Sequence, residues 1–322
     1  MAQYARYVEA NGIEHTGRVQ HGKLQDVPGD PQILDLLSMP AAKRNDLDVR
    51  VGRYQKLPIQ DAVFAAPVQP RAMRDFLVFE AHIAGMKKTE GGDGSVPPAW
   101  YEAPRFLFMN PWSVVPTGAD IPMPPFTQRL DFELEVAMIV KNTVRDVPIE
   151  EASQHIAGFC LLNDWSARDI QGREMSVGLG PSKGKDFANT LGPWLTTPDE
   201  LEQYREGDRY ALDMSVAING EVVGTDNLRN MSWSFEEMLV HASRDAWVGA
   251  GDVLATGTAS QGALSERWAR AGGELVIPPL QVGDVVTMTV QGLGTIENRI
   301  VEQRSPAHTV PPARRTYGDD RL

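Results

Sequence analysis

"RLDFELEVAMIV", residues 129–140, sets the terms on which the rest of the chain is read. Its β-branched and aromatic content favours a strand, in which alternate side chains face opposite ways, so Phe132, Leu134, Val136 and Met138 share one face. Asp131, Glu133 and Glu135 then share the other, spaced about 7 Å apart. Carboxylates so placed repel one another unless the face is solvated or a cation neutralises it.

The chain around this stretch has 322 residues, enough for a sizeable core in one large domain or in a large and a small one. Its 31 Lys and Arg against 43 Asp and Glu give a formal charge of −12, which argues against nucleic acid or an anionic membrane as partner. The single cysteine, Cys160, excludes an internal disulfide framework and suits a reducing cytosol. The N-terminal "MAQYARYVEA" has no apolar core behind a basic start, and no run of roughly 18 apolar residues occurs. A soluble cytoplasmic protein is therefore expected. Gly and Pro are spread along the chain, as in many short strands joined by tight turns.

Residues 1–68 are expected to form a small β-rich N-terminal domain with its connector, 69–305 the main domain and 306–322 a tail. "YARYVEANGIEHTGRV" reads as two strands around an Asn11-Gly12 turn, residues 30–48 as adding one helical turn, and "LPIQDAVFAAPVQP" as the connector. Apolar residues at 73, 76, 79, 83 and 86 have helical spacing, and the Gly-rich run "EGGDGSVPP" after them reads as a loop. "DVPIEEASQHIAGF" predicts a helix with Pro148 and two acids in its first turn and Gly158 past its end, feeding the strand "FCLLND". Ser234 and Glu237 form a capping-box pattern. In the C-terminal third, Asn219-Gly220 predicts a hairpin, and "GDVLATGT" and "GDVVTMTVQGLGTIENRIV" each open a strand after Gly-Asp. The last residues, "PPARRTYGDDRL", read as a loose tail. The expected class is strand-dominated α+β, not a regular βαβ alternation.

Common catalytic signatures fail. "GLGPSKGKDF" would need glycine where Leu179 stands and Ser or Thr where Asp186 stands to be a phosphate loop. No H-E-x-x-H or G-x-S-x-G occurs, and one cysteine cannot build a zinc ribbon. What remains is carboxylates. Asp164 ends the apolar strand "GFCLLND", a position that aims a side chain into a cleft, and Asp75 precedes His82 by seven residues, about two helical turns. Singly, each could be a solvated face, a turn-forming Asp or a satisfied core histidine. With the strand acids Asp131, Glu133 and Glu135, these carboxylates could serve an oxygen-only site suited to Mg²⁺, Mn²⁺ or Ca²⁺, with exposed strand charges as the rival reading.

From about residue 70 to 305 the ordered motifs "RDFLVFEAH", "LDFELEVA", "LLNDWSARDIQ", "GPSKGKDFA", "NTLGPWL", "GDVLATGTASQG" and "GDVV" resemble the fumarylacetoacetate hydrolase family. The resemblance implies a mixed β-roll/β-sandwich catalytic domain, a homodimer, and for this length a small β-rich N-terminal domain. It implies a divalent cation, Mg²⁺ before Mn²⁺ or Ca²⁺, held by Asp75, Glu133, Glu135 and Asp164. It further implies hydrolysis of a carbon–carbon bond in an acylpyruvate, β-diketo acid or related 1,3-dicarbonyl compound. In that chemistry His82, oriented by Glu266, activates water, Lys185 and Gln171 donate hydrogen bonds to developing negative charge, and Thr258 touches the substrate carboxylate.

Departures from the family pattern bear on the substrate. Leu77 and Met175 stand where two substrate-contacting tyrosines would fall. No arginine follows His82 at the expected place, where only Lys87 and Lys88 are near, and Gly85 replaces the glutamate of a His-x-x-Glu dyad. The pocket is expected to be more apolar, and fumarylacetoacetate itself is disfavoured. Two other readings are carried: a metal-dependent decarboxylase or isomerase of a small oxo acid, and a non-catalytic metal- or ligand-binding protein. Arg168 and Asp169 are expected to tie loops down, and Asp131 to lie at the strand's edge in solvent or paired with Arg129 or Arg168.

Overall fold

The computed structural model describes residues 2–51, 56–88, 92–303 and 308–314. The strand Leu134–Val140 lies inside a twelve-stranded mixed sheet. On one side it pairs antiparallel with Ile156–Asp164, Leu134 opposite Asn163, and on the other antiparallel with Val253–Ala255. Met73–Phe76 runs parallel to Val253–Ala255 and antiparallel to Phe106–Met109. These directions have a consequence. The start of Leu134–Val140 and the ends of Ile156–Asp164, Val253–Ala255 and Met73–Phe76 come together at one end of these neighbouring strands, carrying Glu135, Asp164 and Asp75 with them.

Both faces of Leu134–Val140 are buried. Leu134, Val136 and Met138 share a core with Met214, Val216, Met288 and Ile296 of a five-stranded sheet built from Ile121–Pro122, Asp213–Ile218, Glu221–Asn227, Val285–Val290 and Gly294–Val301. On the opposite face Ala137 and Ile139 join Leu162, Ala255, Ile33, Leu36 and Leu37. The polar face expected of this strand therefore lasts only through Glu135, after which it becomes core. Burying each of these aliphatic side chains stabilises the fold by about 1.5–3 kcal/mol, so the strand's register is strongly fixed.

The strands Gln3–Val8 and Glu14–Gln20 form the expected N-terminal hairpin. Gln3–Val8 also pairs with Asn189–Thr196, so the N-terminal strands continue the central sheet. The expected single helical turn is two helices, Ile33–Ser38 and Ala41–Val51, the first of which lays Ile33, Leu36 and Leu37 on the sheet. The connector contributes strands of its own, Lys56–Pro58 and Val63–Ala65. Among the described residues no helix is long and apolar enough to cross a membrane.

Two helix expectations are corrected. The 73–86 spacing hides a buried strand, Met73–Phe76, followed by a shorter helix, Glu80–Met86, because sheet pairing on both sides outweighs local periodicity. Asp75 and His82 are thus not on one helix. The helix expected over 149–157 is one turn, Ile149–Ala152, then a 3₁₀ turn, Ser153–His155; the strand begins at Ile156 and takes in Gly158. The capping box holds, with Ser234 Oγ accepting from Glu237 N at 3.2 Å and Glu237 Oε2 from Ser234 N at 2.7 Å. The Asn219-Gly220 hairpin joins Asp213–Ile218 to Glu221–Asn227. Part of the Gly-rich run, residues 89–91, and much of the tail, 304–307 and 315–322, lie outside the described residues; 92–97 and 308–314 have no regular structure.

Candidate active site

These strand ends gather carboxylates. One oxygen from each of Asp75, Glu133, Glu135 and Asp164 lies within 4.8 Å of the others, and all these residues are buried. Glu135 Oε2 accepts from Gly257 N at 3.2 Å. Gly257 has φ +78, and a Cβ there would lie 2.1 Å from Phe76 O, so only glycine lets this backbone reach between the two strand ends. Asp75 Oδ1 and Glu135 Oε1 are buried without a hydrogen-bond partner. The electrostatic consequence follows. Burial, reinforced by Glu133, pushes Asp75 up to about 7 against the pull of Lys185. Burial and the charges of Asp75, Glu133 and Asp164 raise Glu135 well above the carboxylate range, and burial with Glu133 likewise raises Asp164. Glu133 alone goes down: burial opposes its charge, but Lys185 and Arg168 outweigh burial.

The expected donors are here. Lys185, buried, places Nζ on both Glu133 Oε2 and Asp164 Oδ2. Although burial alone would lower its pKa, Asp164 and Glu133 raise it, so it stays an ammonium. Arg168 bridges Asp131 Oδ2 at 2.8 Å and Glu133 Oε1 at 2.7 Å and gives a third hydrogen bond, 3.0 Å, to Gln171 Oε1. That fixes the Gln171 amide with its NH₂ end free to donate. Asp169 ties down the preceding loop by accepting from Thr127 Oγ1 at 2.6 Å and Gln128 N at 2.8 Å.

Asp131 corrects the expectation of a solvent-exposed edge: it is fully buried. Its pairing with Arg168 was one of the alternatives read from sequence. A further role was not legible. Its oxygens accept from Leu264 N at 2.8 Å and Ser265 N at 2.9 Å, the first turn of the helix Leu264–Arg270, whose N-cap residue is Ala263. Asp131 does the capping that an alanine cannot.

That helix carries Glu266 to His82. Glu266 Oε2 lies 2.8 Å from His82 Nδ1, both residues buried, although they are 184 positions apart. Glu266 also accepts from Gln261 N at 2.7 Å and Arg270 Nε at 2.8 Å. Burial pushes the Glu266 pKa up, but the His82 and Arg270 hydrogen bonds hold it below the ordinary range. Gly85, one turn after His82, is what admits the glutamate. A Cβ there would stand 2.6 Å from Glu266 Oε1 and 2.7 Å from its Cγ. The residue that departs from a His-x-x-Glu dyad thus makes room for a glutamate from another helix. Arg270 joins the helices by donating to Ala81 O at 2.9 Å.

His82, Asp75, Glu133, Lys185, Gln171, Thr258, Leu77 and Met175 all line one cavity of about 460 Å³; Glu135, Asp164 and Glu266 stand behind it as buried supports. Arg129, expected as a possible partner of Asp131, lies instead on the same wall, and Met86, Leu107, Trp268 and Leu275 there were not legible as lining residues. None carries a local signal, since their convergence is a product of long-range pairing.

Residues 71–301 match the family model described as Fumarylacetoacetate (FAA) hydrolase C-terminal. The fumarylacetoacetase of Arabidopsis thaliana is 28% identical over 266 residues, 69% of this chain and 62% of that protein. The chain spans between 57% and 62% of the length of the first such curated relatives. The structure of maleylpyruvate hydrolase from Sphingobium sp. SYK-6 in complex with manganese(II) ion and pyruvate superimposes with a TM-score of 0.69 at 19% identity, covering 94% of this chain and 100% of that one. A 5-carboxymethyl-2-hydroxymuconate delta-isomerase from Mycobacterium smegmatis gives 0.68 at 19%, with the same coverage. At these identities the likeness is one of fold, and it spans hydrolases and isomerases.

Proposed function

Since the chain belongs to the fumarylacetoacetate hydrolase family, we propose that it is a divalent-cation-dependent hydrolase cleaving a carbon–carbon bond of an acylpyruvate or related 1,3-dicarbonyl acid. The observation that carries this reading is the buried His82–Glu266 pair opening into the cavity that holds Lys185 and the edge of the carboxylate cluster.

The donor set fits a hard cation. Its oxygens belong to carboxylates alone, and two of them, Asp75 Oδ1 and Glu135 Oε1, are buried with no protein partner. Asp75, Glu133, Glu135 and Asp164 would hold it, with Mg²⁺ favoured and Mn²⁺ or Ca²⁺ compatible. Such an ion supplies Lewis-acid polarisation of substrate oxygens.

The remaining work belongs to side chains. Ionised Glu266 accepts from His82 Nδ1, which fixes the tautomer and leaves Nε2 as the base. Nε2 takes a proton from water, and the hydroxide adds to the acyl carbonyl. The bond to the neighbouring methylene breaks, its electron pair passes into the enolate of pyruvate, and the proton on Nε2 returns to that carbon. Water and acylpyruvate thus give a carboxylic acid and pyruvate. Lys185, the Gln171 amide and Thr258 donate to the oxygens on which negative charge grows.

Decarboxylation or isomerisation would need no activated water. His82→Ala separates the readings: hydrolysis is expected to fall by at least about 10²-fold with divalent-ion binding retained, whereas turnover kept near the wild-type rate would reject water activation by His82.

A further inference from the structure

We infer that the acyl portion of the substrate is an uncharged apolar chain or ring, so that the substrate carries its single carboxylate at the end facing the four-carboxylate site. This rests on the hydrolase reading for the reactive end and adds the identity of the tail. Away from the acids and Lys185, the cavity wall carries Leu77, Met86, Leu107, Met175, Trp268 and Leu275, with Gln171, Thr258, Ser265 and Arg168 as its polar part. Leu77 is 36% and Met175 56% exposed, so apolar surface lies open inside the cavity where a tail would cover it. An adjoining cavity of about 290 Å³ shares Leu107, Pro181 and Lys185 and continues the apolar wall with Phe108 and Met109.

Among the described residues no buried cation of the cavity wall is left for a second carboxylate: Lys185 holds Glu133 and Asp164 and has its one remaining donor for the reacting end, and Arg168 holds Asp131 and Glu133. The remaining lining cation among the described residues, Arg129, is exposed, where solvent screens an ion pair to a few-fold at most. In the adjoining cavity the other charged group is Asp186, already paired with Lys183 and Asn110, so it offers an anion nothing to bind. A distal carboxylate would thus leave water for apolar walls or a like charge.

The test compares, under saturating Mn²⁺, three acylpyruvates with the same reactive end and a methyl, pentyl or ω-carboxypentyl tail. Each buried methylene is expected to raise kcat/KM about two- to fourfold, so pentyl should exceed methyl at least tenfold and exceed ω-carboxypentyl by a similar factor. Equal or better turnover of the ω-carboxypentyl compound, or no gain from methyl to pentyl, overturns the inference. Leu77→Lys, with its folding checked by Tm, should shift preference toward the ω-carboxypentyl compound; an unmoved ratio counts against a tail lying on Leu77. If none of the three is cleaved, the hydrolase reading fails. The tail is then decided by thermal shift with Mn²⁺ and 2-oxo acids bearing the same three tails, where a pentyl advantage supports the inference and its absence overturns it.

Discussion

Gly85→Ala adds one methyl group inside the helix Glu80–Met86, where alanine is otherwise preferred by about 1 kcal/mol. The new Cβ would stand 2.6 Å from Glu266 Oε1, 2.7 Å from Glu266 Cγ and 2.8 Å from Arg270 Nε. Glu266 cannot simply swing aside, because His82, Gln261 N and Arg270 hold both its oxygens. Overpacking of this kind costs about 1–3 kcal/mol, so after the helix gain the net loss of stability should stay under about 2 kcal/mol and the protein should fold. The function should suffer more. Displacing Glu266 removes a hydrogen bond to a charged group, about 1.5–3 kcal/mol, and at about 1.4 kcal/mol per factor of ten kcat/KM should fall roughly 10- to 100-fold. The assay is pyruvate release from an acylpyruvate under saturating Mn²⁺, alongside a thermal melt, in wild type, Gly85→Ala, Glu266→Gln and the double variant. If the methyl acts through Glu266, it should cost little once Glu266 is Gln. Full activity in Gly85→Ala, or an equal loss in both backgrounds, would show that Gly85 does not make room for Glu266.

Other consequences can be checked on the same protein. Glu133→Gln or Glu135→Gln should abolish the Tm increase that Mg²⁺ or Mn²⁺ gives wild type; an increase retained in both variants contradicts the ligand assignment. Asp75, pushed by burial to about 7 from 3.8, binds more protons folded than unfolded between those values, so ion-free stability should fall as pH rises from 5 to 7.5. Glu133 and Glu266, lowered, contribute stability that is lost only below about pH 4.5. Because the ion needs ionised carboxylates, the Tm increment from Mn²⁺ should grow over the same window, and an increment that shrinks would contradict it. Asp131→Ala leaves Arg168 half-paired and two helix N–H groups uncapped, so a loss of about 3–5 kcal/mol is expected in denaturant unfolding; a loss under about 1 kcal/mol would show that Asp131 does not hold the Glu266 helix.

The opening stretch was legible in part: its alternation grouped Glu133 with Glu135 and the strand end placed Asp164, but the expected single strand is two, Leu130–Asp131 paired with Ser166–Ala167 and Leu134–Val140 in the large sheet, with Glu133 in the break between them. The helix expected through Met73 failed because apolar spacing of 3 and 4 also fits a short strand buried between two neighbours followed by a turn of helix. Asp131 was half legible. Its charge invited Arg168, but its capping of a helix 133 residues away has no trace in local sequence. Glu266 could be named only through family resemblance, since a glutamate in "GALSERWAR" looks solvated until Asp131, Gly85 and Arg270 are seen to bring it to His82.

Water-dependent cleavage of a carbon–carbon bond at an ion-dependent site is read out by turnover of a pentyl-tailed acylpyruvate in H₂¹⁸O with Mn²⁺ and, separately, with chelator, the products resolved by mass. One pyruvate and one carboxylic acid carrying a single ¹⁸O in its carboxylate are expected, formed only with the ion. Release of CO₂, an isomer of unchanged mass, or cleavage that persists in chelator would contradict that expectation.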